Sequence, residues 1–314
     1  MRLRFLSVLA FALVVAGLYA SSGFATVSVF ATGTSMPETI TPTASGSFFV
    51  TDADAVGDIW NVPATGGTAS SVAQAGFSLR GGLFLPGTFG AVGGQFLVVG
   101  VGAPDMTALA STMDAAFTVT PYAQQKKGVW TQPVLAPSFG SFSGDVLVTN
   151  QGLGKNFPGS VDSFTPGGTV GSLATLPSVT PFGAALAPSS FGAVGGRLLV
   201  SDATGSGIYS VDAAGNVSLF TTIPLGAGQS GLRQIAFAPT GWGLGTGNLF
   251  VSVTSSDIDV INSGGSVIGR ISGMFSPRGL LFTTLSGSPS LLFSDISTGK
   301  ILKARSGDIV PVHG

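Results

Sequence analysis

The sequence predicts an all-β chain, a six-bladed β-propeller of four-stranded antiparallel blades, and three observations carry that expectation. A β-rich phrase recurs six times, its starts 42 to 52 residues apart, a spacing that suits propeller blades. Four of the copies are preceded by an apolar strand that ends in proline. Charge is scarce: 13 Lys+Arg and 14 Asp+Glu make up 9% of the 314 residues, against ~25% in an ordinary soluble domain.

The N-terminus reads as an address. Arg2 and Arg4 precede an apolar stretch over residues 5–20, and Gly23-Phe24-Ala25 places small residues at a cleavage point. Residues 1–25 are expected to be a secretory signal peptide cut after Ala25, with a cut after Ala20 as second choice. The stretch is short of the ~20 residues that span a bilayer. The product is expected to be exported, to the periplasm or the medium, as a monomer with no membrane span. The propeller domain would occupy residues 26–314.

The six phrases lie at residues 48–52, 96–100, 146–150, 198–202, 249–253 and 291–295. The strand-ending prolines are Pro86, Pro137, Pro188 and Pro239, each followed by an aromatic-Gly pair: Phe89-Gly90, Phe139-Gly140, Phe191-Gly192 and Trp242-Gly243. Downstream of the fourth phrase, residues 207–212 and 215–220 add two short strands joined by a Gly turn, and residues 299–303 and 307–310 echo them. Each unit therefore holds four strands, with repeats starting near residues 36, 80, 131, 182, 233 and 278. Stacked around an axis, such sheets are covered on both faces, so even face-alternating positions become apolar. That accounts for a mean hydropathy of +0.53 without a membrane. A transmembrane barrel would show girdles of Trp and Tyr, whereas the chain has 23 Phe against three Trp and three Tyr. Two segments are left open. Residues 27–32 resemble an outer strand that could close the last blade, in competition with residues 308–312. Residues 106–116 read as helical, and with Gln124-Gln125-Lys126-Lys127 they would form either a decorated blade edge or a lid.

Composition excludes several kinds of chemistry. There is no cysteine, and the one histidine is His313, so thiol catalysis, disulfides, Cys-ligated zinc and a catalytic triad fall away. A net charge of −1 lacks the basic footprint of nucleic-acid binding.

Counting six places back from each strand-ending proline locates one position per unit at the mouth of the central channel. The residues are Met36, Arg80, Thr131, Phe182, Arg233 and, by pattern, Arg278. Arg80, Arg233 and Arg278 would make that mouth positive and able to hold an anionic or carboxylate-bearing ligand, unless each simply pairs with an acid such as Asp202 or Asp295. Asp52, Asn150, Asp202 and Asp295 end the same strand in four units, where short polar side chains usually bond the turn's own backbone. A sharper reading takes Asp52, Asp54 and Asp58 as hard oxygen ligands for Ca²⁺, although Val56 and Pro63 stand where an EF-hand loop would place donors.

The run Ser276-Pro277-Arg278-Gly279-Leu280-Leu281-Phe282, with residues 291–295 and Gly299-Lys300-Ile301, resembles the NHL repeat. The resemblance extends over residues 36–312 to the superfamily of six-bladed propellers that includes the SMP-30/gluconolactonase proteins. It implies the propeller fold. SMP-30-like lactonases hold a divalent metal on the axis through a Glu of the first blade with Asn and Asp from later blades. Glu38, the only glutamate, is similar in position, and Asn150 is the nearest Asn candidate, but the chain has Pro-Glu-Thr where the family has Glu-Gly-Pro.

The expected function is a non-catalytic exported propeller that binds an envelope or extracellular ligand, glycan or protein through one face, without a cofactor. The alternative is a metal-dependent hydrolase or lactonase of the gluconolactonase type, using Ca²⁺ or Zn²⁺, with Glu38 as a ligand and Arg233 or Arg278 orienting substrate.

Overall fold

A phrase such as Phe48–Asp52 buries every residue, and so do Val146–Asn150, Leu198–Asp202 and Leu249–Val253. Strands covered on both faces need a neighbouring sheet on each side, and the computed structural model supplies it. The model describes residues 27–312 other than 126, 155, 156, 256 and 274. The signal-peptide expectation for residues 1–25, Lys126 and His313 lie outside the described residues.

Six antiparallel sheets form the blades of a propeller. From the axis outward, blade 1 is Pro37–Pro42, Phe48–Asp52, Asp58–Val62 and Ser70–Gln74. Blade 2 is Ser78–Phe84, Phe96–Gly102, Thr107–Met113 and Val119–Gln125. Blade 3 is Trp130–Leu135, Val146–Asn150, Gly159–Phe164 and Val170–Leu176. Blade 4 is Pro181–Leu186, Leu198–Asp202, Gly207–Val211 and Val217–Thr222. Blade 5 is Leu232–Phe237, Leu249–Val253, Asp257–Ile261 and Val267–Ser272. Blade 6 starts with Pro277–Leu285, Ser288–Asp295 and Lys300–Ala304. Each innermost strand touches those of the blades on either side, and the sixth returns to the first.

The N-terminal strand wins the competition for ring closure. Ser28–Thr32 pairs antiparallel with Lys300–Ala304, Ser28 opposite Lys303 and Ala31 opposite Ile301, and so becomes the outer strand of blade 6. Gly67–Thr68 adds to its free edge in parallel. The C-terminal Val310–Pro311 is displaced to blade 5, where it pairs with Gly269 and Arg270 as a fifth strand.

The core is divided into slabs between blades. Phe49, Ile59, Leu79 and Val98 pack between blades 1 and 2. Trp242, Phe250, Leu291 and Phe293 pack between blades 5 and 6. Full burial of such a side chain contributes about 1.5–3 kcal/mol. The recurring aromatic-Gly pairs find their purpose here: Phe89, Phe139, Phe191 and Trp242 are each buried plugs in the slab toward the next blade. Trp242 meets Phe282 of blade 6 edge-on, ring centroids 4.9 Å apart.

Blade 2 departs from the sequence expectation. Residues 106–116 form no helix; Thr107–Met113 is a strand. Ala108 and Ala110 enter the slab toward blade 3 while Met113 enters the one toward blade 1, and burial on two opposite faces overrides local helix preference. Gln124 and Gln125 finish an ordinary outer strand, so this edge is no lid. Among the described residues no helix is long and apolar enough to cross a membrane.

Candidate active site

Every innermost strand carries a β-bulge near its start, as between Pro37 and Ile40 or between Pro277 and Leu280. A bulge inserts one extra residue and re-aims a side chain. The register of the six ladders aligns Glu38, Arg80, Thr131, Phe182, Arg233 and Arg278 at this position. Five of the six are the residues expected from the proline spacing. In blade 1 the slot belongs to Glu38, not Met36, which is exposed and donates its backbone N–H to Asp52. The proline rule slipped by two residues there, because Pro42 ends the strand early.

A hydroxyl fixes the backbone of most slots. Ser294 of blade 6 donates to the carbonyl of Glu38 at 2.9 Å while accepting the N–H of Gly279. Thr149 binds the carbonyl of Phe182, Ser201 that of Arg233 and Ser252 that of Arg278. In blade 1 the hydroxyl of Thr39 reaches the Arg80 carbonyl. These bonds cross from one blade to the next. The approach is close enough that a Cβ on Gly279 would fall 2.3 Å from the Glu38 carbonyl oxygen, which is why glycine follows Arg278.

The structure brings the axial charges together. Arg80 Nη1 lies 2.9 Å from Glu38 Oε1, and the Glu38 side chain is only 2% exposed. Its other oxygen, Oε2, is buried without a hydrogen-bond partner, as are the Nε atoms of Arg233 and Arg278. The guanidiniums of Arg233 and Arg278 lie 5.1 and 6.0 Å from the ring centroid of Phe182, a favourable placement for a guanidinium. Burial, and then the neighbouring Arg278, push Arg233 down from the ordinary arginine range to about 10, while Glu38 opposes the shift. Burial likewise lowers Arg278, with Glu38 opposing and Arg80 adding to the fall.

Two residues at the next level of the axis escaped the sequence reading. Gln234 of blade 5 donates to the side-chain oxygen of Gln132 in blade 3 and accepts the N–H of Leu280 in blade 6. This amide bridge ties three blades together beside the charged ring. The available signal was positional, since each glutamine directly follows a slot residue while Gly81, Gly183 and Gly279 hold that place in the other three later blades.

The other candidates sit apart from the axis. Asp52 accepts the N–H groups of Ser35, Met36 and Asp54 and the indole of Trp60. Asp54 accepts from Gly57 and Asp58, and its carboxyl is raised chiefly by desolvation. Asp58 accepts from Ser71 and Gln74. Asn150 is occupied within blade 3, bonding Val129, Gly152 and Asp162. Asp202 and Asp295 hold their own turns in the same way. Among the described residues no group of three His, Cys, Asp or Glu is placed to hold a metal ion. Open clefts of about 580 and 660 Å³ lie beside the outer strand of blade 2, and neither contains an axial charge.

No protein-family model and no curated protein matches the sequence. Solved structures do match in fold. A gluconolactonase from Xanthomonas campestris is similar with a TM-score of 0.66 and 16% identity, over 92% of this chain and 92% of that one. The calcium-binding protein regucalcin from Agrobacterium tumefaciens is similar with a TM-score of 0.64 and 14% identity, over 88% and 95%. A PQQ-bound aldose sugar dehydrogenase from Streptomyces coelicolor gives 0.62 and 14%, over 89% and 98%. The chain thus has the fold of the SMP-30/gluconolactonase-like six-bladed propellers. These neighbours correct the expectation of a non-catalytic binding propeller. They include a lactonase and a sugar dehydrogenase matched over nearly their whole length, and they favour the lactonase-like alternative.

The divalent metal implied by that fold does not suit the residues present. Glu38 stands where one ligand is expected, but the remaining slots hold three guanidiniums, a threonine and a phenylalanine. The nearby glutamine side-chain oxygens already accept hydrogen bonds. A hard dication needs several oxygen donors, and here it would meet fixed positive charge instead.

Proposed function

We propose that the chain is a lactonase-like hydrolase whose site is the axial ring of Glu38, Arg80, Arg233 and Arg278. The observation that carries this reading is a buried carboxylate with one oxygen free, surrounded by guanidiniums. Arg80 holds Oε1 and orients the group, leaving Oε2 to take a proton from water. The water oxygen attacks the lactone carbonyl, and the C=O electron pair moves onto its oxygen. Arg278 or Arg233 stabilises that oxyanion, the role in which fixed cations act as electrophiles. Collapse breaks the ring C–O bond, and Glu38 returns its proton to the leaving oxygen, giving a hydroxy acid.

Hydrolysis of a panel of sugar lactones tests this directly. E38Q is expected to lower kcat by about 10²–10⁴-fold, the usual contribution of a general base, with the fold retained by circular dichroism. Turnover is expected to survive EDTA, because the positive charge is supplied by arginine. Absence of hydrolysis across the panel, or full activity in E38Q, would overturn the reading.

A further inference from the structure

The axial ring carries more positive charge than lactone hydrolysis uses. Three guanidiniums face one carboxylate, a formal charge of +2 once Glu38 is counted. Arg80 has Glu38 as its direct partner. Among the described residues Arg233 donates Nη1 to a neutral group, the carbonyl of Ala203. The one other acid felt by Arg233 is Asp202, whose carboxylate already accepts from Thr180 and Thr204. Moving a proton from water to Glu38 while an oxyanion forms leaves the total charge unchanged. A neutral lactone therefore leaves the excess unbalanced throughout the reaction. Like charges held together in a partly buried site are costly, and both buried Nε groups lack an acceptor.

Resting on the axial site of the preceding section, we propose that Arg233 and Arg278 form an anion subsite, one of the two also donating to the oxyanion through its remaining N–H groups, and that the substrate bears a carboxylate or phosphate group. Both guanidiniums rest near the ring of Phe182, which limits their freedom, and a planar fork suits either oxyanion. Burial first, and then repulsion from Arg278 and Arg80, hold Arg233 down at about 10, with Glu38 and Asp202 opposing. An anion between the pair would relieve the mutual repulsion.

Calorimetric titration with inorganic phosphate and, separately, with gluconate tests the inference on the purified protein. At least one anion is expected to bind near neutral pH, with R233M and R278M each weakening it by about tenfold or more, as loss of a charge-assisted hydrogen bond would. R233K, which keeps the charge but not the fork, is expected to fall between. E38Q is expected to bind the anion more tightly while losing turnover, because it removes the larger of the two opposing negative charges. Tighter phosphate than gluconate marks a phosphoryl group on the substrate, and the reverse order marks a carboxylate. If neither anion binds, or if folded R233M and R278M bind as the parent does, the inference fails. Anion binding without lactone turnover would remove the hydrolase reading alone. Turnover of neutral lactones that neither anion inhibits would remove the anion subsite alone.

Discussion

Ser294 shows how one hydroxyl places a functional group. It accepts the N–H of Gly279 and donates to the carbonyl of Glu38, joining the last blade to the first at the site itself. S294A would strand two buried backbone groups, a cost of about 1–3 kcal/mol each. Thermal unfolding should report that loss, and kcat should fall with it because Glu38 is no longer held. T149A removes the equivalent bond to Phe182 and serves as the comparison, lowering Tm with less effect on turnover. Arg233 acts in the opposite sense. Its folded-state value of about 10 lies below the ordinary arginine range, so the folded protein holds this proton less tightly than the unfolded chain does. The resulting penalty is fully present below about pH 10 and shrinks as pH rises above it toward the ordinary arginine range. R233M should therefore raise Tm near neutral pH while weakening anion binding, a trade between stability and function. Anion affinity of the parent should fall as pH rises through about 10, where Arg233 loses its charge.

Among the strands, the two chain ends contribute very differently. Ser28–Thr32 closes the ring, buries Ala31 and sets Phe30 against Phe48 with ring centroids 5.8 Å apart. Val310–Pro311 is exposed at both residues. Deleting residues 27–32 should lower Tm sharply and broaden the unfolding transition, whereas truncation after Ile309 should shift Tm only slightly, as scanning calorimetry can measure. The strands also show where sequence reading succeeds. Prolines at a fixed distance from a buried strand mark blades 2 to 5 because the same turn is rebuilt each time. In blade 1 that turn differs, and Pro42 displaced the expected slot from Glu38 to Met36. The third strand of blade 2 reads as helical in isolation because its Ala108, Leu109, Ala110 and Met113 are strong helix formers. Their alternation is imposed by slabs on both sides, and no neighbouring slab is visible in a local window.

At the scale of the molecule, the fold was legible because six units repeat one burial pattern, and the site was legible only in part. Arg80, Arg233 and Arg278 stood out because charge is so rare in this chain. Their convergence with Glu38 depends on ring geometry that joins residues far apart in sequence. The amide bridge of Gln132 and Gln234 likewise exists only because the ring brings blades 3 and 5, the two neighbours of blade 4, together near the axis. The strand-end carboxylates were most easily over-read: a carboxylate that serves its own turn and one that awaits a cation look alike until the hydrogen bonds are seen.

Closure by the N-terminal strand also orders events in time. Residues 28–32 are the first of the described strands to be synthesised, yet their antiparallel partner, Lys300–Ala304, comes nearly last. Until that partner emerges, blade 6 has no complete sheet, and the slabs on either side of it lack a wall. Contacts of such long sequence separation make folding slow. The growing chain can stack its early blades, but the ring, and with it the axial site that joins blade 6 to blade 1, is completed only once residues 300–304 have been made.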